Sequence, residues 1–496
     1  MKLFKSILFL IILFPAFIVG QTQVDNAIEQ AKSFIKEKKY PQAEAILAAY
    51  FPNHNKDLTT NWLYAQVLHW NYKNKLSEDL FQKAIALAPK NTAIQLDYAR
   101  MLYESSDFKK AQALIEPLKK LEDTQAEALL MEANIHFWNG NIDEAQKSIR
   151  ELKKLYPNTD ITNDIVKNIA NATSPYLKTN FEYQSDNQPM TFVGEKVEIG
   201  QYRSWLLSPK LEFSNYNFNP SQQALTGKIS NQLYVANIGF SATIAAGAYK
   251  NFSGTTDWIG GIELNQKIIN HTTLKIGYNK RPYLGTLAST AFNLTQNNLF
   301  GELDYNNIKY LSIHAGFNHQ YFNDNNNIET ISSWIISKPF SFAALKVQFG
   351  YGYSYSNATT NLYTAKESLT DAIANFSPTM TINGYYNPYF TPKQQTVNSA
   401  LLILNYKASS KIELGAKATY GFAAQCQNPY IYLNTDGSGA TIFTTDYSKT
   451  NFNPYEVTAF ISGKISSSME AKLSYTNQQT FFYNRNNLNL GLNFKL

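Results

Sequence analysis

The six histidines are the side chains whose chemistry would most readily serve a catalytic or metal site. They stand at positions 54, 69, 136, 271, 314 and 319. No pair has the His-Glu-x-x-His spacing that holds zinc on a helix, and no Gly-x-Ser-x-Gly elbow presents a serine nucleophile. His314 and His319 are five residues apart, which places them on opposite faces of a strand. The sequence therefore predicts a protein that is not an enzyme and has no cofactor or metal. A Ser–His pair brought together only by the fold is the alternative.

A second set of chemistry-bearing side chains alternates with apolar residues in the C-terminal part of the chain. Glu413 and Lys417 alternate with apolar residues in 412–422, and Glu470 and Lys472 do so in 469–475. Residues two apart share one face of a strand, so such groups would line one surface. The candidate set is Glu263, Asn265, Lys267, His314, Asn318, Glu413, Lys417, Glu470 and Lys472. This surface would bind sugar polymers. The alternative is that its members pair with one another across a closed lumen as strand-to-strand ion pairs.

Strands must position that polar face, and period-two alternation continues to the end of the chain. The clearest strand is the last, where apolar residues alternate with polar ones or glycine: Leu488, Leu490, Leu492, Phe494 and Leu496. A soluble β-sandwich also alternates, but strands of about ten residues with aromatics at their ends are typical of transmembrane β-barrels. We predict an antiparallel transmembrane barrel of about 16 strands in residues 175–496.

The lengths of the connections predict the orientation of this barrel. Short turns are expected near residues 208, 237, 270, 307, 338, 409 and 467, and long loops at 185–196, 251–256, 281–290, 322–327, 358–395 and 425–452. In outer-membrane barrels the short turns are periplasmic and the longer loops are extracellular. An even number of strands returns both ends of the barrel to the periplasm, so the preceding part of the chain would lie there.

The N-terminal part repeats with a period of 34 residues. One column is alanine throughout: Ala31, Ala65, Ala99 and Ala133. A second column holds small residues: Ala43, Ser77, Ala111 and Ala145. A third column is bulky and apolar: Leu47, Phe81, Ile115 and Ile149. Small residues at fixed positions let antiparallel helices approach closely. The pattern resembles the tetratricopeptide repeat, and it implies an α-solenoid with repeats at about 24–57, 58–91, 92–125 and 126–159.

The resemblance also implies a concave binding surface on the first helix of each repeat. Its members mix aromatic, charged and amide groups, which suits a peptide or a sugar chain: Lys32, Lys36, Gln66, His69, Trp70, Arg100, Tyr103, Glu104, Asn134, Phe137 and Trp138. The alternative for the three large aromatic residues, Trp70, Phe137 and Trp138, is simple packing between repeats.

The N-terminus and the composition indicate the compartment. Lys2 and Lys5 flank the start of an apolar run that extends to Val19, the pattern of a secretory signal peptide in residues 1–20. An uncleaved N-terminal anchor is the alternative. The predicted order is then a repeat domain in residues 22–170, in the periplasm, followed by the outer-membrane barrel. A formal charge of +6 on 496 residues does not suggest nucleic-acid binding. The single cysteine, Cys426, excludes an intramolecular disulfide.

Two further stretches carry a resemblance to known outer-membrane families. Lys280-Arg281-Pro282 followed by Leu284-Gly285-Thr286-Leu287-Ala288 is similar to a basic-Pro segment of the outer-membrane export component of bacterial cellulose synthase. Gly384-Tyr385-Tyr386-Asn387-Pro388 is similar to the Gly-aromatic-aromatic-x-Pro stretch of the same family. The architecture also resembles the YaiO-type outer-membrane barrel family. Four repeats are far fewer than the cellulose export family has.

The resemblance implies export or porin-like passage of an exopolysaccharide through the barrel, with the repeats docking a periplasmic protein or a polysaccharide. The alternative is a non-conducting anchor or assembly scaffold that presents the repeats for protein–protein interaction. Outer-membrane lipid and the barrel insertion machinery are expected partners in either case, and nucleic acid is not.

Overall fold

The computed structural model describes residues 26–157, 160–187, 190–218, 222–269, 271–307, 309–378 and 380–496. The signal peptide expected in residues 1–20 lies outside these described residues. The chain divides into two compact units. One comprises the residues up to Trp138 together with Glu144–Asn163, and the other comprises Asn139–Asp143 and Asp164–Leu496.

Helices occupy the N-terminal part in consecutive pairs. They are α1 (Asn26–Lys36), α2 (Tyr40–His54), α3 (Leu58–Trp70), α4 (Asn74–Leu87), α5 (Thr92–Glu104), α6 (Phe108–Leu118), α7 (Gln125–Trp138), α8 (Ile142–Leu155) and α9 (Asn163–Thr173). The first eight form four pairs, and each pair coincides with one predicted 34-residue repeat, except that α7 begins at Gln125, one residue before the predicted start of the fourth. None of the described helices is both long and apolar enough to cross a membrane.

Local side chains set the ends of these helices. The Asp57 carboxylate accepts a hydrogen bond from the backbone N–H of Thr60 and caps α3, and Asn91 caps α5 in the same way. Both α4 and α8 end two residues before a proline, at Leu87 and Leu155. Proline cannot continue a helix, because it lacks the N–H and its ring clashes with the preceding turn.

The small-residue columns lie where the helices cross. All eight of their members are fully buried: Ala31, Ala43, Ala65, Ser77, Ala99, Ala111, Ala133 and Ala145. The Ser77 hydroxyl is satisfied because it donates to the Ala65 carbonyl at 2.7 Å. The bulky column is also buried, with Ile149 its most exposed member at 6 %. The predicted helical solenoid is therefore confirmed, and close helix approach explains the 34-residue period.

The C-terminal part consists of long antiparallel strands. They are β1 (Tyr176–Asp186), β2 (Thr191–Gly200), β3 (Pro209–Phe218), β4 (Gln222–Val235), β5 (Phe240–Lys250), β6 (Thr256–Ile269), β7 (Thr272–Pro282), β8 (Thr295–Asn307), β9 (Leu311–Phe322), β10 (Asn327–Ser337), β11 (Phe340–Phe342), β12 (Leu345–Ala358), β13 (Tyr363–Ala365), β14 (Gly384–Tyr386), β15 (Gln395–Lys407), β16 (Ile412–Thr435), β17 (Thr441–Phe452), β18 (Tyr455–Lys464), β19 (Met469–Gln479) and β20 (Asn484–Lys495).

Sixteen of these strands close into a ring. Each of β1 to β9 pairs with the next, and from β10 the ring continues through β12, β15, β16, β18, β19 and β20. The last strand pairs with the first over the full length of both, from Tyr176 opposite Lys495 to Asp186 opposite Arg485. Closure leaves no free edge in the ring itself. The predicted antiparallel barrel of about 16 strands is confirmed.

The connections at the two ends of the barrel differ. We call the end where β1 begins and β20 ends the basal end, and the opposite end the mouth. Two long connections lie at the mouth: the short mouth loop, residues 283–294 with α10 (Leu287–Ala291), and the long mouth loop, residues 359–394 with α11 (Leu369–Asn375). Beyond Gly421, β16 continues past the ring and pairs with β17 to form a projecting hairpin.

Several loop predictions were wrong. Most of the long loop expected at 185–196 is strand, because β1 continues to Asp186 and β2 begins at Thr191. Connections do lie at the positions expected in 251–256 and 322–327, but only five residues separate β5 from β6 and four separate β9 from β10, so neither is long. The region 425–452 is the strand hairpin and not a loop. The Asn-rich sequence produced these errors. Asn251, for example, holds a tight turn by accepting a hydrogen bond from the Thr255 N–H at 2.9 Å.

Alternate residues divide each strand between an apolar and a polar face. On β20, Leu488 and Leu490 are 40 % and 39 % exposed, while Asn487 and Asn489 point to the other side. Neighbouring strands continue the outer apolar surface with residues such as Leu473 and Ile461. An apolar belt around a closed ring with a polar interior is the pattern of an outer-membrane barrel, in which the belt contacts lipid.

Candidate functional site

The predicted lumen residues all stand at register positions opposite the apolar belt. Exposed Ile262, Ile313, Leu414 and Leu473 mark the outer face of their strands. The alternate positions on the same strands belong to the inner face: Glu263, Asn265, Lys267, His314, Asn318, Glu413, Lys417, Glu470 and Lys472. His319 takes the outer face and pairs with Glu329 at 3.2 Å, so the two neighbouring histidines do not meet.

Ion pairs between adjacent strands neutralise much of this inner wall. Lys275 lies 3.5 Å from Glu263 and 3.4 Å from Glu302, so one lysine bridges two carboxylates. His314 Nδ1 lies 2.8 Å from Asp304. These contacts run sideways along the wall, so the charges need no partner across the lumen.

A similar ladder joins three strands near the start of the barrel. Glu212 on β3 accepts from Lys196 on β2 at 2.6 Å and from Lys228 on β4 at 3.0 Å. The carboxylate is only 15 % exposed, so both ion pairs are partly shielded from solvent screening.

Three aromatic rings on the inner face of the barrel, those of Phe300, Phe460 and Trp334, each have a lysine ammonium or a histidine ring over one face. Lys275 Nζ lies 5.3 Å from the Phe300 ring centroid, and Lys472 Nζ lies 4.6 Å from that of Phe460. The His314 and Trp334 rings stack at 5.2 Å and 7°. These faces are therefore occupied by cation–π or stacking contacts.

The short mouth loop crosses the barrel opening. It joins β7 to β8, the seventh and eighth strands of the ring, yet the Gly285 carbonyl accepts a hydrogen bond at 2.8 Å from Arg485 on β20, the sixteenth. In a ring of sixteen, the eighth and sixteenth strands stand opposite each other. Leu284 and Leu287 pack against a buried cluster on β2 to β6 that includes Phe192, Phe218 and Tyr249.

Arg485 is held in place for this contact. Its guanidinium lies 3.3 Å from the Asp186 carboxylate, whose side chain is 1 % exposed, and 4.3 Å from the Tyr483 ring centroid. The same Nη2 atom reaches both Asp186 and Gly285. Arg485 thus joins the first strand, the last strand and the crossing loop.

The long mouth loop packs onto the short one. The Thr286 hydroxyl donates to the Pro388 carbonyl at 2.5 Å. Tyr389 stacks on Phe322 at 4.2 Å, and Tyr283 lies 5.5 Å from both of those rings. The two stretches that carried the family resemblance, 280–288 and 384–388, therefore meet in one closed structure over the mouth.

The short and long mouth loops together form a cover over the mouth, and buried phenols stabilise it. Tyr389 is 0 % exposed and its hydroxyl donates to the Asp324 carboxylate at 2.9 Å. Burial and the adjacent Asp324 hold the pKa of Tyr389 well above its usual value, and burial raises the pKa of Tyr283 to about 12. Both phenols stay neutral near pH 7, so the packing does not depend on pH in that range.

Two cavities lie along the inner face of β18, β19, β20 and β1. One of about 350 Å³ has an entirely polar lining that includes Gln184, Glu456, Arg485 and Asn487. A larger one of about 750 Å³ lies at the basal end and is rich in lysine and glutamate. Asn487 in the upper cavity donates to Glu182 on the neighbouring strand.

The helical repeats present a second candidate site, a polar network that joins α3, α5 and α7. Asp97 accepts from Trp62 Nε1 at 2.8 Å and from Gln66 Nε2 at 2.6 Å, and it pairs with Arg100 at 2.5 Å. Arg100 also pairs with Glu127 at 2.5 Å. Burial lowers the pKa of Arg100, but the adjacent Glu127 and Asp97 outweigh burial and hold it above its usual value.

The other predicted groove residues fall into several environments. His69 bridges to Glu104 at 2.7 Å, so these two belong to the same surface. Trp70 packs on Tyr40 with ring centroids 5.1 Å apart, which is packing between helices. Trp138 is 62 % exposed.

The rest of the predicted groove set makes local contacts. Lys32 pairs with Glu29 on its own helix, and Asn134 donates to a backbone carbonyl of its own helix. Tyr103 lies 6.2 Å from Phe108 and Phe137 lies 5.5 Å from Trp138, ring centroid to ring centroid. Lys36 lies exposed at the end of α1.

Several residues that make the central contacts of these two sites were not predicted from the sequence. Asp97 and Trp62 were not placed in the groove, although Asp97 precedes Arg100 by three residues and therefore shares its helix face. Arg485 and Asp186 carry no motif, because their pairing depends on the closure of the ring between residues about 300 positions apart.

Tetratricopeptide repeats followed by a closed 16-stranded barrel of the outer-membrane type form the class that this fold defines. Models of the tetratricopeptide repeat family match residues 77–128 and 127–159, which identifies that region as such repeats. A comparison with curated proteins finds no match.

Solved structures show some likeness to each part. A bacterial polysaccharide outer membrane secretin is 8 % identical, with a TM-score of 0.48 over 66 % of this chain and 99 % of that one. A loop-deletion mutant of OmpT, an outer membrane protein of Vibrio cholerae, is 9 % identical, with a TM-score of 0.33 over 65 % and 98 %. A tetratricopeptide repeat protein from Parabacteroides merdae is 12 % identical, with a TM-score of 0.27 over 29 % and 56 %.

Proposed function

We propose that the protein is a conduit for an exopolysaccharide through the outer membrane, with a mouth that its own loops keep closed. The observation that carries this proposal is the contact of Gly285 with Arg485 across the opening. A loop that spans the ring and bonds to the opposite wall closes the opening, and we take this closure as the means by which the conduit is kept shut when no polymer passes.

The wall supports passage of a polar solute. Barrels of 16 to 18 strands enclose an aqueous channel, whereas barrels of about eight are filled by their own side chains. The inner face here is amide, hydroxyl and paired charge, and it leaves cavities of about 350 and 750 Å³. A polymer bearing hydroxyl groups would exchange hydrogen bonds along such a wall as it moves.

The repeats supply a docking domain in this proposal. With the short basal connections on the periplasmic side, the repeats stand in the periplasm and bind a periplasmic protein or the polysaccharide itself. The network around Asp97 fixes the geometry of that surface. The proposal involves no catalysis. It agrees with the resemblance of the sequence to YaiO-type barrels and to the cellulose export family.

The second candidate is a non-conducting anchor or assembly scaffold, in which the barrel only holds the repeats at the membrane. The dry packing of Tyr389, Phe322 and Tyr283 favours it, because a well-packed cover is costly to open. The two candidates differ in what happens when the cover is removed.

Liposome swelling separates them. The full chain is compared with a loop variant in which residues 285–291 and 366–383 are each replaced by Gly-Gly, which shortens both mouth loops and leaves the strands of the ring unchanged. The matched control replaces the hairpin tip 436–440 by Gly-Gly, a change at the same end of the barrel. Swelling in the tetrasaccharide stachyose by the loop variant, but not by the control, supports the conduit. No swelling by the loop variant supports the anchor.

A further inference from the structure

The cavity of about 750 Å³ at the basal end is a candidate entry site for the transported chain. Its lining comes from β1, β2, β15, β16, β18, β19 and β20, which are consecutive neighbours in the ring. It therefore occupies one continuous arc of the wall. It lies at the end of the barrel where β1 begins, whereas the loops close the other end.

The cavity carries a surplus of positive charge. Six lysines line it, at positions 178, 196, 407, 411, 464 and 472, against three glutamates, at positions 198, 413 and 470. At neutral pH the lining therefore has three more positive than negative charges. A concave surface lined by one sign of charge focuses the field and raises the local concentration of anions.

Half of these lysines already have carboxylate partners. Lys178 lies 3.6 Å from Glu198, Lys464 lies 3.7 Å from Glu470, and Lys196 pairs with Glu212 just outside the cavity.

The other three lysines that line the cavity have no carboxylate partner in the described part of the chain. Among the described residues, no carboxylate lies within 4.0 Å of the ammonium groups of Lys407, Lys411 or Lys472. Lys411 also stands beside Lys464 across the β16–β18 pair, since the Lys464 N–H donates to the Lys411 carbonyl at 3.0 Å. Neighbouring like charges repel, and an anion bound between them would relieve that repulsion.

The lining also lacks the surface that an uncharged sugar chain uses. No phenylalanine, tyrosine or tryptophan is among the described residues that line the cavity, so it offers no ring on which a pyranose can stack. The Lys472 ammonium, which lines the cavity, lies 4.6 Å from the ring centroid of Phe460, so that neighbouring ring already has a cation over one face. Recognition here depends on charge rather than on stacking.

We propose that the basal cavity binds the carboxylate or phosphate groups of an acidic polysaccharide through Lys407, Lys411 and Lys472. This rests on the proposed conduit and narrows its substrate class from exopolysaccharides in general to polyanionic ones. Phospholipid headgroups offer the same anionic chemistry near a membrane surface, so the test must distinguish a sugar chain from a lipid.

Binding measured by titration calorimetry on the full chain in uncharged detergent tests the proposal. The probes are a hexamer of galacturonic acid, an uncharged hexamer of glucose, and glycerophosphoglycerol as a phospholipid headgroup. The test variant is Lys407→Gln/Lys411→Gln. The matched control is Lys309→Gln/Lys338→Gln, which removes the same charge from basal connections outside the cavity. Circular dichroism verifies that both variants fold.

The acidic hexamer should bind with one saturable site and should bind about tenfold more weakly to the test variant, equivalent to about 1.4 kcal/mol. The control should bind it as the unmodified chain does, and the uncharged hexamer should not saturate. Equal binding of the two hexamers, equal loss in both variants, or tighter binding of the headgroup than of the acidic hexamer would each overturn the proposal. Binding needs no open mouth, so these outcomes are independent of the swelling experiment.

Discussion

A polar network centred on the Asp97 carboxylate joins three repeats. It accepts hydrogen bonds from Trp62 and Gln66 on α3 and pairs with Arg100, which in turn reaches Glu127 on α7. The carboxylate is 15 % exposed, so these contacts form in a partly desolvated site. The arrangement of the polar groups on this face of the repeats is therefore set by a network, and not by separate side chains.

Removing this carboxylate should destabilise the repeats measurably. Asp97→Ala leaves an indole N–H, an amide and a guanidinium short of their acceptor, and we expect a loss of about 2 kcal/mol in the free energy of unfolding. Asp79→Ala removes an exposed carboxylate from α4 and should change it by less than about 0.5 kcal/mol. Urea unfolding of the full chain, followed by helical circular dichroism, measures both. Equal stability of the two variants would contradict the network.

His136 gives the repeats a dependence on pH. Burial lowers its pKa from 6.5, and the surrounding charges of Glu132, Glu144, Lys119 and Lys147 do not reverse that shift. The unfolded chain therefore binds more protons than the folded one at pH values between the lowered pKa and 6.5. The free energy of unfolding should fall as the pH drops below about 6.5.

His136→Gln removes the titrating group while keeping a polar side chain. Urea unfolding at a series of pH values from neutral to about 5 should then show a shallower loss of helical stability than in the unmodified chain. An unchanged slope would show that His136 is protonated equally in both states.

At the scale of elements, the helix crossings depend on small side chains. Ala99 is fully buried on α5, so Ala99→Leu must push α5 away from its neighbour and should cost about 1–3 kcal/mol. Ala93 lies exposed on the same helix, and Ala93→Leu should leave stability nearly unchanged. Thermal unfolding of both full-length variants makes the comparison. A loss of the same size in both would mean that helix propensity, and not packing, is being measured.

The strands should respond to charge according to the face that receives it. Leu490 stands in the middle of β20 on the apolar side, so Leu490→Lys should cost about 2–4 kcal/mol in lipid. Asn489→Lys, one residue away on the inner face, should be tolerated. Folding into lipid vesicles at increasing urea concentration measures both. If Asn489→Lys were the more damaging change, the assignment of the two faces would be reversed.

Local periodicity explains why the elements were predictable and the loops were not. The spacing of Ala31, Ala65, Ala99 and Ala133 and the alternation from Leu488 to Leu496 are repeated constraints, because the same packing rule acts at every step. The connections have no such repetition. Clusters of asparagine at 323–327 suit a tight turn as well as a long loop, and the sequence does not distinguish these cases.

The candidate site was predictable only in part, for a related reason. Alternation places Glu263 and Lys472 on the inner face without any knowledge of the ring. The contact of Arg485 with Asp186 and Gly285 requires the ring to close first, since these residues are about 200 to 300 positions apart. Contacts made by closure leave no local signal.

At the scale of the whole barrel, the two ends differ in what they present. The basal end has a lysine-rich cavity, and the mouth has two packed loops joined through Thr286 and Pro388 and tied to the opposite wall by Arg485. In the function that we propose, a polyanion enters at the charged basal end and leaves only when the mouth loops open.

The cover should be weakened by a single substitution. Arg485→Ala removes the link between Gly285 and the opposite wall, and we expect brief openings in planar bilayers that the unmodified chain lacks. Lys393→Ala removes a positive charge from the long mouth loop, where the side chain lies 6.0 Å from the Tyr447 ring, and should leave the closed state unchanged. Equal current through the two variants would show that Arg485 does not hold the cover.

Single-channel recording of a variant with both mouth loops shortened tests whether the barrel is a conduit. Residues 285–291 and 366–383 are each replaced by Gly-Gly, and the chain is compared with the unmodified protein and with the variant shortened at 436–440. A conduit closed by its mouth loops should carry a steady, ohmic current only when those loops are shortened. A correctly folded barrel that carries no current without its cover would contradict the conduit and identify the barrel as an anchor.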